Sequence, residues 1–369
     1  MPRLSLPRLE QRLDPSRWLE WSVPIFSVLL ALLVGGFILL AVGANPLVAY
    51  GKMIESAFGS WDGFSETLVK ATPLLLCGLG VMLSFRMLFW NIGAEGQLHV
   101  GAIVATGIAL AGLKWPSWML LTFMVLTAMA GGALWGLIPA YLKARHGVNE
   151  IITTLMMNYI AILWVAQMIY GPWRSPSNFP ISETFPDEAT LFPFGDTRLT
   201  WGIVYALVGV AILYIVQEKS TWGYQIRVTG ENPQAARYAG IKIDRNILWV
   251  MMIAGGLAGL SGMVEVAGIQ YRLMRGISPG YGYTAVIVAF LGKRHPIGVL
   301  IAAILLGGLF VGGEAIMINM KLPISLVFII QGLILFFVLG GEINTRYRVV
   351  WGRKRPVCPP GDAPNRPEK

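Results

Sequence analysis

The chain has 369 residues, of which 55% are hydrophobic and only 13% charged, against the roughly 25% charge of ordinary globular chains. Its net charge is +9, from 29 Lys and Arg against 20 Asp and Glu. Apolar runs of about 20 residues recur along it, which excludes a soluble domain and makes its basicity a matter of loop placement, not of nucleic-acid binding.

Lipid admits only helices or closed barrels, and these runs are too long and too continuously apolar for barrel strands. The expected fold is an all-α polytopic membrane protein of about ten transmembrane helices. Residues 1–17 read as a polar tail, 18–342 as the transmembrane domain and 343–369 as a second polar tail. The first apolar run, Trp18 to Val42, closes on Ala-Val-Gly-Ala, which resembles a signal-peptide cleavage site. It is longer than a signal-peptide core, so a retained span is expected. The further spans are expected at 67–89, 98–113, 117–142, 148–170, 201–217, 247–269, 281–293, 296–318 and 323–341. The two cysteines, Cys77 and Cys358, suggest no disulfide framework.

With the N-terminus inside and the spans alternating, all but eight of the 29 Lys and Arg fall on the inner side. This bias predicts an N-in, C-in protein. It makes 171–200 the longest external loop; with Trp173, Phe179, Phe185 and Phe192 it should pack as a lid. The segment 218–246 becomes cytoplasmic.

Two stretches break the apolar pattern from within. Phe89 to His99 carries Asn91, Glu95, Gln97 and His99 between two spans. Arg275 to Thr284 carries Ser278, Pro279, three glycines, Tyr281, Tyr283 and Thr284. Gly and Pro at such places predict broken or re-entrant helices, which lipid tolerates only where protein or a wet cavity surrounds them. The two stretches resemble each other loosely and are expected at opposite sides, as an inverted repeat would have them. Asn91, Glu95, Gln97, Tyr281, Tyr283 and Thr284 are therefore candidates for a translocation path, joined by Glu265 from within the seventh span. Glu95 also reads as a helix cap. Asn158 and Gln167 read either as path residues or as interhelical hydrogen bonds, and Glu314, like Glu265, as a residue that could line the path. Glycines and small residues at 255, 256, 259, 261 and 262 read as close helix packing.

The cytoplasmic segment holds a short helix with both ends marked. Asn232 suits the N-cap, Pro233 the first helical position and Gly240 the left-handed residue past the end. Gln234 to Ala239, including Ala236, Arg237 and Tyr238, make about two turns, too short to persist in water alone. It reads as a docking element, or else as an ordinary capped loop helix. Glu95 and His99 do not match a metalloprotease pattern, and Gly280-Tyr281-Gly282 lacks the residues of a potassium filter. No Gly-Lys-Ser/Thr phosphate loop is present, so the chain itself is not expected to hydrolyse a nucleotide, and no cofactor, metal or enzymatic activity is implied.

Asn91 to Gln97, Gly230 to Ile241 and Ser278 to Gly292, in that order, resemble the permease subunits of bacterial ATP-binding-cassette importers, in the branch for nucleosides and simple sugars. The resemblance runs from about residue 65 to 342. It implies a bacterial inner-membrane protein paired with a second permease, a cytoplasmic ATPase and an extracytoplasmic substrate-binding protein. It also implies that Gly230–Ile241 is the coupling helix and that both polar breaks lie near the path of a small polar solute, a nucleoside first and a simple sugar next. The rival reading is an ion-coupled secondary transporter, which would use broken helices and repeats equally well.

Overall fold

Polar punctuation sets most helix boundaries in this chain. A computed structural model describes residues 8–11, 17–176 and 179–350. Its helices are α1 (Arg17–Ala41), α2 (Pro46–Phe58), α3 (Trp61–Arg86), α4 (Ala94–Ala109), α5 (Ser117–His146), α6 (Glu150–Tyr170), α7 (Gly202–Lys219), α8 (Thr221–Glu231), α9 (Pro233–Tyr238), α10 (Ile243–Glu265), α11 (Tyr281–Leu291), α12 (Pro296–Met320) and α13 (Ser325–Arg346). Side-chain caps open several of them. Asn45 Oδ1 accepts from the Leu47 N–H at 3.0 Å, Ser60 Oγ from Gly63 at 3.0 Å and Asn149 Oδ1 from Ile151 at 2.9 Å. The α5 helix ends with Lys143, Arg145 and His146 in its last turn and Gly147 at φ +66°. Cations there favour the carbonyl end of the helix, and glycine takes the left-handed conformation without strain.

Each of the ten expected spans falls on a helix, but among the described residues only seven helices are long and apolar enough to cross a membrane. The segments expected at 98–113 and 281–293 are the short helices α4 and α11, of 16 and 11 residues. The last is apolar only over Ser325–Gly341. The sequence reading also passed over α2 and α8, which are amphipathic and lie in segments taken for loops. Most of the two tails lies outside the described residues. Arg8–Gln11 and Tyr347–Val350 form two short strands, β1 and β2, paired antiparallel with Arg8 opposite Val350.

The centre of the bundle is α3, with 89% of its apolar window buried, against 28% for α6 at the perimeter. The α10 helix crosses α3 and packs on α4 and α5 through small residues, while α3 packs on α11 and α12. The approach of α10 to α4 is close: a Cβ on Gly262 would stand 2.0 Å from the Leu98 carbonyl oxygen, and one on Gly101 2.2 Å from that of Gly259. Backbones so close exchange dispersion contacts that larger residues would block. Cys77 is buried in this core. In the loop 171–200, Phe185 is buried together with Ala189 and Leu191, whereas Phe179 and Phe192 of the expected packing aromatics stay exposed.

Candidate functional site

The first break begins where α3 ends at Arg86. The chain passes through Leu88 at φ +58° and re-enters helix at Ala94. Its polar residues are used on the break itself. Asn91 Oδ1 accepts from the Gly93 N–H at 3.0 Å, and the Asn91 and Gln97 amides exchange two hydrogen bonds at 3.3 Å. Asn158 reaches in from α6: its Oδ1 accepts from the Gly96 N–H at 2.8 Å, and its Nδ2 donates to the Ile92 carbonyl at 2.8 Å. The same Nδ2 donates to the Tyr283 hydroxyl at 3.4 Å. Asn91, Glu95, Gln97 and Asn158 are each at most 2% exposed, so these bonds replace the water their amides would otherwise require.

The second break begins with a widened turn, Val266–Gln270, that follows α10, and then Tyr271 at φ +55°. Here the loop 171–200 supplies much of what the backbone needs. Ser182 N–H donates to the Leu273 carbonyl at 2.8 Å, and the Leu273 N–H donates to Ser182 Oγ at 2.8 Å. The Phe185 and Leu191 N–H groups donate to the Tyr271 and Ala267 carbonyls, both at 2.9 Å. Ser278 Oγ then accepts from the Gly280 and Tyr281 N–H groups at 3.1 and 2.9 Å, opening α11.

The two breaks meet at Glu95. Its Oε2 accepts from the Gly282 N–H at 2.7 Å, in the first turn of α11. The carboxylate thus satisfies an orphan donor and sits at the positive end of the facing half-helix. A Cβ on Gly282 would stand 2.2 Å from the Glu95 backbone nitrogen, so only glycine permits this approach. His99 Nδ1 lies 2.7 Å from the Glu95 carbonyl oxygen and 3.8 Å from its Oε1.

The structure therefore gathers Asn91, Glu95, Gln97, Asn158 and Tyr283 around the two breaks in three separate sets of bonds: Asn91 with Gln97, Asn158 with Tyr283, and Glu95 with Gly282. Thr284 turns elsewhere and donates to Gln331 Oε1 of α13 at 3.3 Å. Tyr281 is buried edge-on against Phe310 at 5.8 Å. Glu265 accepts from Gln270 Nε2 at 3.2 Å, and its second oxygen is buried with no partner among the described residues. Gln331 Nε2 is likewise buried and unpartnered. A lone Gln in the last apolar run was the signal for Gln331, and the sequence reading did not take it up. Glu314 is paired at 2.7 Å with Lys70 of α3, a residue assigned from sequence to the outer side alone.

The short capped helix expected after Asn232 forms as its caps dictate. Asn232 Oδ1 accepts from the Gln234 and Ala235 N–H groups, both at 3.0 Å, and Pro233 opens α9. Gly240 takes φ +76°, with its N–H on the Arg237 carbonyl and the Ile241 N–H on the Ala236 carbonyl, both at 3.0 Å. This doubly bonded ending closes the helix. Ala236 alone of α9 is buried; Arg237 is exposed and Tyr238 is 94% exposed. The preceding α8 is tied to the end of α3. Arg86 binds Gln217 and, at 2.9 Å, Glu218, which also pairs with Arg227 at 3.2 Å.

Comparison with known proteins gives a consistent result. The family described as branched-chain amino acid transport system, permease component, matches residues 63–339. A glucose ABC transporter permease of Haloferax volcanii is 38% identical, with 92% of this chain and 94% of that protein covered. A guanosine ABC transporter permease of Bacillus subtilis is 36% identical, with 86% and 92% covered. A nucleoside ABC transporter permease of Lactococcus lactis is 32% identical, with 86% and 90% covered.

Proposed function

The chain belongs to the permease-component family of branched-chain amino acid transport systems, and from that membership we propose that it forms the translocation path for a nucleoside, with a simple sugar as the next choice. It is a membrane-embedded permease subunit of an ATP-binding-cassette transporter and not an enzyme. ATP is hydrolysed by a separate subunit, which makes an ion-coupled secondary transporter the weaker reading. A second permease and an extracytoplasmic substrate-binding protein complete the assembly in the inner membrane. The N-in, C-in orientation rests on the charge bias, and the pairing of β1 with β2 supports it by bringing both tails to one side.

The observation that carries the reading is α9. A six-residue helix capped at both ends, held by one buried alanine and otherwise uncovered, is built to meet a partner. The ATPase docks there, on Arg237 and Tyr238, with Asn232, Pro233 and Gly240 holding the helix. The path runs past Asn91, Glu95, Gln97, Glu265, Tyr281, Tyr283 and Thr284. Within it Asn91 and Gln97 shape the break, while the half-exposed Tyr283 and the spare oxygen of Glu265 are the groups free to meet a solute's hydroxyls. Ten spans include, beside α1 and α7, the halves α3–α6 and α10–α13, which form an inverted repeat in which α4 and α11 cross only in part. In support, each half runs from a long helix through a break to a half-helix, and each long helix packs on the other half's elements.

The test is ATP-dependent uptake by the permease reconstituted with its ATPase, its second permease and its binding protein, over a panel of labelled nucleosides and sugars. Saturable nucleoside uptake that Arg237→Glu abolishes, together with ATPase association, is expected. Uptake of sugars alone would overturn the substrate, and full ATPase association by Arg237→Glu would overturn the docking role.

A further inference from the structure

A groove lies beside the docking helix, lined by Trp222 and Gln225 of α8, Lys242, and Arg245, Asn246 and Trp249 of α10. Its floor is fixed by polar bonds. Trp222 Nε1 donates to Asn246 Oδ1 at 3.2 Å, and Asn246 Nδ2 donates to Gln225 Oε1 at 3.3 Å. Asn246 is 5% exposed. At its rim Lys242 and Arg245 are exposed, and neither side chain has an ion-pair or hydrogen-bond partner among the described residues. The groove thus presents two unmatched positive charges beside two indole faces.

Its depth follows from helix length. The apolar helical stretch Ile243–Gln270 has 28 residues. At 1.5 Å per residue it spans about 42 Å, against about 30 Å of hydrocarbon, so roughly two turns project into the headgroup layers. Val266, Ala267 and Gly268, near the far end, are buried under the loop 171–200. The Ile243 end carries the groove. Arg245, Trp249 and Ile253 follow at four-residue intervals and share one face, passing from cation to indole to aliphatic as the helix enters the bilayer. Trp, Lys and Arg are the residues that membrane interfaces favour.

We propose that this groove binds an anionic phospholipid, its phosphate between Lys242 and Arg245 and its upper chain along Trp249 and Ile253. A basic pocket between helices at the cytoplasmic surface suits such a headgroup. An acidic segment of the ATPase would match the two cations, but Trp249 and Ile253 lie further along a helix that is entering the bilayer, where a water-soluble subunit does not follow. The groove abuts the docking segment, whose Ala239, Gly240 and Ile241 also line it, but lipid binding there needs the groove and the membrane, not the ATPase.

The test uses the full-length permease in nanodiscs of equal phosphatidylcholine and phosphatidylglycerol, with native mass spectrometry of the lipids retained on release. The wild type should keep phosphatidylglycerol in preference to phosphatidylcholine. Lys242→Gln with Arg245→Gln should lower that preference about 30-fold, and Arg245→Gln alone about 5-fold, from roughly 1 kcal/mol for each basic residue at a membrane surface. Lys242→Arg with Arg245→Lys should keep it, which separates charge from folding. Inorganic phosphate in excess should fail to displace the lipid; displacement by phosphate would make this a free-anion site and overturn the proposal. Unchanged lipid preference in the double Gln variant would overturn it too, and would assign the cations to the ATPase if its pull-down is lost at the same time.

Discussion

The two breaks solve one problem by different means. Backbone that leaves the helix inside a membrane must find partners for its N–H and C=O groups, because the lipid offers none. The first break finds them at home: Asn91, Gln97 and Asn158 are side chains of the bundle, and they close it from both sides. The second imports them, since Ser182, Phe185 and Leu191 come from a loop about eighty residues earlier in the chain. A side-chain clamp holds its shape as long as its helices stay packed. A loop clamp releases when the loop lifts. The first break is thus the fixed half of the site and the second the half whose shape depends on the loop 171–200.

The largest expected effect is where the two breaks touch backbone to backbone, at Gly282 and Glu95. Gly282→Ala places a methyl group 2.2 Å from the Glu95 nitrogen, a contact neither backbone can relieve without moving. Overpacking of this kind costs about 1–3 kcal/mol or more. Uptake should be lost, and the thermal midpoint of the purified permease should fall. Wild-type uptake would mean that α11 can slide away from α4, and the contrast between a fixed and a movable half would be wrong.

Next comes Asn158→Ala, which leaves the Gly96 N–H and the Ile92 carbonyl buried without partners. At about 1–3 kcal/mol for each orphaned group, it should destabilise the protein by more than Glu95→Ala, which orphans the Gly282 N–H alone. Glu95→Gln keeps an acceptor for that donor and should recover most of the stability. If it also restores uptake, Glu95 is a cap; if stability returns without uptake, its charge serves the solute. Melting curves and uptake on the same three proteins decide this.

The uneven legibility of the sequence has the same physical root. The α9 helix could be read residue by residue, because Asn232, Pro233 and Gly240 act through bonds that span only a few positions. The breaks could be located, because Gly, Pro and amides interrupt an apolar pattern. What they contact could not, since the bond from Glu95 to Gly282 joins residues 187 apart. Asn158 was visible as a polar residue in a span, but its two functions, path or packing, differ only in what faces it. Gln331 and the pairing of Lys70 with Glu314 depend on the same kind of distant neighbour. The short helices α2 and α8, of 13 and 11 residues, were passed over because they are too short to read as spans, and they owe their helical state to the caps Asn45 and Ser220 and to the bundle beneath them.

The smallest effect is the most direct probe of the contrast between the breaks. Ser182 holds the Leu273 N–H through its hydroxyl and the Leu273 carbonyl through its own N–H. Ser182→Ala removes the first bond and leaves the second, so the buried Leu273 N–H loses its acceptor while the loop keeps its backbone tie; the cost falls at the low end of about 1–3 kcal/mol, because the loop can shift to let water reach that N–H. That is too little to unfold the permease, yet it raises the open fraction of this loop at least about 5-fold. Amide exchange at Leu273 should quicken by that factor, while exchange at Gly93 and Gly96 in the first break stays unchanged. The two sites lie in one bundle, so a global loss of stability would speed both. Faster exchange at Leu273 alone shows that the second break opens with its loop, independently of the first. Equal acceleration at both would mean that the breaks form one cooperative unit through Glu95, and that the loop clamp is no weaker than the side-chain clamp it faces.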